Sequence, residues 1–113
     1  MTRLGFLALV SLMGFGCSND PAPDNVDCSG TPPSFEQVTA LSKCTSCHDS
    51  SKTGSARMAA PPDINFDTAA AAEAHANKAV SEVVKGDMPP RNSGVTLTDT
   101  EKQQLYEWAM CGM

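Results

Sequence analysis

Two cysteines three positions apart stand directly before a histidine in the run Cys44-Thr45-Ser46-Cys47-His48. Thiols add to vinyl groups and an imidazole nitrogen ligates iron, and Cys-x-x-Cys-His is the spacing by which a c-type haem is attached to a chain. On a helical segment, residues three apart share a face with their Cβ atoms roughly 5 to 6 Å apart, so both sulfurs can reach the two vinyl groups of one porphyrin. His48 then carries its ring to the iron as proximal axial ligand, neutral and bonded through one nitrogen. The cofactor expected from these residues is one covalent haem c on Cys44, Cys47 and His48.

Other chemistries use the same residue types. A zinc site needs about four ligands, usually with a second Cys or His pair at short spacing, whereas Cys28, His75 and Cys111 each stand alone. A thioredoxin-like pair lies beside a βαβ pattern, and no alternating β-branched run is present here. A structural Cys44–Cys47 disulfide is the remaining alternative.

Iron held by one histidine has a further axial position. In Gly86-Asp87-Met88-Pro89-Pro90 the prolines fix φ and the glycine lets a helix end, which makes Met88 a well-presented thioether for the position opposite His48. Met/His ligation raises a haem's reduction potential relative to bis-His. The metal ligands expected are thus His48 and Met88. His75 is the competing imidazole, but it lies about a quarter turn from the Ala76, Val80 and Val83 face and is expected in solvent. Met58 is a weaker rival because no rigid element presents it. The carbonyl of Pro61 or Pro62 is expected to accept the His48 Nδ1 proton and so orient the ring.

Three helices must position these groups. Ser34 and Gln37 form a capping box before Phe35, Val38 and Leu41, which recur at helical spacing up to Cys44 and Cys47. A second helix is expected to begin at Asp67 or Thr68 and to run through the alanine-rich stretch to Gly86. The last starts at Thr98, boxed with Glu101, and places Leu105, Trp108 and Ala109 on one face before Gly112. The fold class expected is all-α, about three main helices around the haem, which would be the largest apolar body in a core with few aromatics.

Upstream, Arg3 precedes an uncharged apolar run from Leu4 to Gly16, read as an export signal too short to span a membrane. Gly16-Cys17-Ser18 resembles a bacterial lipoprotein processing site, with lipid expected on Cys17. Gly14 departs from that pattern, which leaves cleavage by the ordinary signal peptidase open. Residues 17–33, rich in Pro, Asp and Ser, read as a flexible tether, and 34–113 as the folded domain. The location expected is the periplasm or cell envelope, anchored to the membrane through Cys17.

The 113-residue chain has a net charge of −5, which becomes −6 once residues 1–16 and their single charge, Arg3, are removed. That acidity disfavours nucleic acid as a partner and favours basic patches on redox proteins. Of the five cysteines, two serve the haem and one the lipid. Cys28 and Cys111 can then pair, the alternative being two free thiols.

Taken together, the Cys44-x-x-Cys47-His48 motif after a helix, the Met88-Pro-Pro loop and a last helix containing Trp108 resemble the small monohaem class I cytochromes c over about residues 34 to 112. The tether and the Cys28–Cys111 pair depart from that family. What the resemblance implies is an all-α fold around one covalent haem whose iron cycles between ferric and ferrous states. It further implies a carrier that passes single electrons between donor and acceptor proteins, with no substrate at the iron and no enzymatic activity. A haem enzyme or gas sensor with a labile or open sixth position is the alternative. No Ser/His/Asp or paired-carboxylate arrangement supports hydrolysis.

Overall fold

The computed structural model describes residues 21–112, so the expected export signal and Cys17 lie outside the described residues. Within that span the chain is all-helical, with no strand. Its helices are α1 (Thr39–Cys44), α2 (Ala69–Ala74), α3 (Ala76–Lys85) and α4 (Asp99–Cys111), with 3-10 turns at Phe35–Gln37 before α1 and at Gly54–Arg57 between α1 and α2. None of the described helices is long and apolar enough to cross a membrane.

The first helix is shorter than its periodicity predicts. Gln37 Oε1 accepts the Ser34 N–H at 2.9 Å, as a capping side chain should, but the turn it opens is 3-10 and ends at Val38, whose ψ of 94° is extended. This kink buries Val38 along with Ala40 and Leu41, and α1 restarts at Thr39.

The second predicted helix divides in two. Thr68 caps α2 by accepting the Ala71 N–H. His75 then breaks the helix with φ −117° and ψ 13°, and α3 runs on until Gly86 ends it in the left-handed region at φ 80°. The break has a tertiary cause, because His75 Nε2 lies 3.2 Å from the Asp63 carbonyl and its ring meets the edge of Phe66.

The core forms where α4 lies against both α1 and α3. Leu105, Tyr106, Trp108 and Ala109 of α4 are buried with Leu41 of α1 and with Ala76, Val80 and Val83 of α3. Burial of this apolar surface, at roughly 25 cal/mol per Å², is what holds such short helices together, since helices of these lengths are marginal alone. Alanines on α2 and α3 keep that layer thin.

Before α1, Val26 packs on the core and Cys28 is bridged to Cys111, their Cα atoms 5.4 Å apart. The end of α4 is packed closely here. A methyl group on Gly112 would meet the Trp108 carbonyl at 3.1 Å and the Pro32 ring at 3.2 Å.

The capping box of α4 also ties it to α1. Thr98 accepts the Glu101 N–H at 3.1 Å while Glu101 Oε1 accepts the Thr98 N–H at 3.0 Å. The same oxygen takes the Lys43 ammonium at 2.7 Å, and Lys43 also donates to the Thr96 carbonyl at 3.0 Å. The Lys43 hydrogen bond, then the Thr98 backbone N–H, holds the Glu101 carboxyl below its ordinary value.

Because Glu101 binds its proton less readily folded than unfolded, this bond contributes fully above the ordinary glutamate pKa of about 4.3. The contribution is lost as pH falls through the lowered folded value. Urea melts between about pH 6 and pH 3 should therefore show a shallower acid-side loss of stability in Glu101→Gln than in the parent. Parallel profiles would remove the bridge from the acid response.

Candidate functional site

Cys44 is the last residue of α1, and the chain keeps turning beyond it. The Cys47 and His48 N–H groups both donate to the Cys44 carbonyl, at 3.2 and 2.9 Å. That single continued turn brings Cys44, Cys47 and His48 to one side of the chain, where all three line the same cavity. Both thiols are unbonded to any other sulfur.

His48 is held at two points by one segment. Its ring Nδ1 lies 2.9 Å from the Ile64 carbonyl, and its own carbonyl accepts the Phe66 N–H at 2.9 Å. The orienting carbonyl is thus that of Ile64, not of Pro61 or Pro62. A carbonyl oxygen can only accept, so Nδ1 carries a proton, which leaves Nε2 as the ring nitrogen available to a ligand. Phe66 meets the ring edge-on, with centroids 5.4 Å apart and planes at 89°.

Met88 reaches the same cavity from α3. After Gly86 turns the chain, the Asp87 and Met88 N–H groups both donate to the Glu82 carbonyl, at 3.0 and 3.2 Å. The half-buried side chain of Met88 packs against the core, with Pro89 and Pro90 beside it on the cavity wall. The structure therefore brings the four expected site residues, Cys44, Cys47, His48 and Met88, around one space.

That space has a volume of about 340 Å³, within the roughly 300 to 1,000 Å³ of small-molecule and cofactor sites. Its walls are mostly apolar, with Ile64, Phe66, Ala79, Val83, Val95 and Leu97 among them, while Lys43, Lys78 and Glu82 bring charge. Burial pushes the Cys44 thiol up to about 11. At neutral pH it is a protonated thiol, unlike the low-pKa thiolate that a dithiol redox catalyst uses.

Of the rival ligands, His75 is half-buried on the cavity wall rather than in solvent, its Nε2 directed at the Asp63 carbonyl. Met58 also borders the cavity but is 46% exposed, on left-handed backbone at φ 49°. Among the described residues no three His, Cys, Asp or Glu side chains are grouped to hold a metal ion.

Arg57 is a residue that sequence reasoning missed. Only 5% exposed, it fills the centre of the loop after His48 and donates to five backbone carbonyls. Nε meets Ala60 at 3.2 Å, Nη1 meets Asp49 at 2.8 Å and Lys52 at 3.5 Å, and Nη2 meets Pro61 at 2.6 Å and Ile64 at 3.1 Å. Its one signal in the sequence was to be the lone charge between Thr53 and Pro62.

Comparison with protein-family models, with curated proteins and with solved structures finds no match. The functional reading rests on the residues and their arrangement.

Proposed function

We propose that the chain is an electron-transfer protein of the cytochrome c type, carrying one covalent haem with His48 and Met88 as axial ligands. The observation that supports this most directly is the convergence on one largely apolar cavity of two thiols, an imidazole with its tautomer fixed, and a thioether. These donors fit the group in number and kind. A haem bound there supplies a one-electron couple between ferric and ferrous iron.

The chain's own residues would do the rest. Cys44 and Cys47 would hold the porphyrin by thioether bonds, which a protonated thiol forms by adding its S–H across a vinyl group. The Ile64 carbonyl keeps the Nδ1 proton of His48 in place, so Nε2 remains a base of constant orientation. Met88 is restrained at its backbone by Glu82, so neither ligand needs to move when charge changes. Phe66, Val83 and Leu97 would give the cavity apolar walls. In this reading the partners are a redox donor and acceptor protein, the location is the cell envelope, and Cys17 bears the lipid anchor.

Expression with a c-type maturation system tests the proposal. Visible absorption should stay with the polypeptide through denaturation and acid-acetone extraction, and should be lost from the polypeptide in Cys44→Ser/Cys47→Ser. The native protein should give a low-spin spectrum that carbon monoxide leaves unchanged in the ferrous state. A covalent but high-spin haem that takes carbon monoxide would favour a haem enzyme or sensor, and a colourless polypeptide would end the assignment.

A further inference from the structure

Arg57 is a buried cation with no carboxylate among its hydrogen-bond partners. All five of its N–H groups are directed at carbonyl oxygens, and burying such a charge is costly. A loop of this length can close around apolar side chains at less expense. The placement of one of those bonds gives the charge a use. The Ile64 oxygen that accepts Nη2 of Arg57 at 3.1 Å also accepts Nδ1 of His48 at 2.9 Å.

A carbonyl oxygen has two lone pairs, and here both are engaged, one by a cation. The guanidinium draws electron density from the oxygen and makes it a weaker acceptor for the histidine proton. A weaker bond at Nδ1 leaves Nε2 a poorer electron donor, since it is a strong outer partner that raises ligand basicity. We infer that Arg57 is a positioning residue that acts through the shared Ile64 carbonyl to restrain the electron donation of His48 to iron, and so raises the reduction potential. The inference rests on the haem reading above. Loss of the guanidinium strengthens the His48–Ile64 bond and removes a positive charge from the wall of the cavity that would hold the iron, and both changes favour ferric iron.

The test uses the haem-loaded protein and two readings, the midpoint potential and the His48 Nδ1 proton resonance of the diamagnetic reduced state. In Arg57→Gln the ferric-to-ferrous ratio at fixed potential should rise about tenfold, equivalent to ~59 mV for one electron, and the Nδ1 proton should move downfield. Arg57→Lys, which keeps the charge without the fork, should fall between this variant and the parent. Asn65→Ala serves as the structural control, since it removes a different loop bond, Asn65 Nδ2 to the Pro62 carbonyl at 3.1 Å. It should lower thermal stability with neither reading changed.

An Arg57→Gln protein with parental potential and an unmoved Nδ1 proton would overturn the inference, as would an equal change in Asn65→Ala. Should the Arg57 variants fail to fold, the parent protein decides. Ile64 is the sole isoleucine of the chain, so isotope-labelled isoleucine gives one carbonyl signal, which must show scalar coupling to an Arg57 Nη across the hydrogen bond. No such coupling would overturn the inference. A chain that takes up no haem overturns both readings, whereas a haem protein insensitive to Arg57 overturns this one alone.

Discussion

In the proposed haem form of the protein, Met88→Ala is expected to open the iron. Its weak far-red ferric-thioether absorption should disappear, the ferrous form should pass from no carbon monoxide uptake to one molecule per haem, and the midpoint should fall by more than the ~59 mV of one tenfold step. The geometry supports a change this large. Met88 enters the cavity from a turn whose backbone is bonded twice to the Glu82 carbonyl, with two prolines following. Met58 stands 46% exposed on a separate loop and has no comparable support. Met58→Ala should therefore leave the far-red absorption intact. Met88 is only partly buried, so its truncation should cost no more than about 2 kcal/mol, the low end for Met→Ala in cores. Loss of the absorption in Met58→Ala instead would reverse the roles of the two methionines.

The largest stability change is expected from Cys28→Ser/Cys111→Ser. The bridge joins residues 83 apart in sequence, and in the chain-entropy model closing such a loop contributes about 4.5 kcal/mol. A covalent haem would already restrict the unfolded chain, so the expected loss is roughly 3 kcal/mol in urea unfolding followed by far-ultraviolet circular dichroism. Val26, which packs on the core just before Cys28, and Pro32, whose ring lies close to Gly112, should loosen with it. Neither cysteine lines the cavity, so the visible spectrum and the potential should be those of the parent. A loss below about 1 kcal/mol would mean that packing at the end of α4 holds the chain as well without the bond.

Much of this arrangement is local in origin and could be read from sequence. The Thr98–Glu101 box, the stop at Gly86 and the turn from Cys44 to His48 each depend on residues within four positions of one another. Tertiary contacts account for the differences. The break at His75 follows from Asp63 and Phe66, distant along the chain. The start of α1 at Thr39 follows from the burial of Val38 in extended backbone. Backbone carbonyls were the least legible partners. Every residue has one, so no residue type marked Ile64 rather than Pro61 or Pro62 as the partner of His48, and nothing marked Arg57 as the residue its loop encloses.

The Cys28–Cys111 bridge has a mechanical consequence as well. It lies near both ends of the described residues, so a pull applied between residues 21 and 112 passes from Cys28 through the sulfurs to Cys111. The intervening loop, with α1, α2, α3 and the entire cavity, carries none of that load. A stretch applied at those two points should straighten only the residues between each point and the bridge, while the same force applied after reduction would act directly on the helices that shape the site.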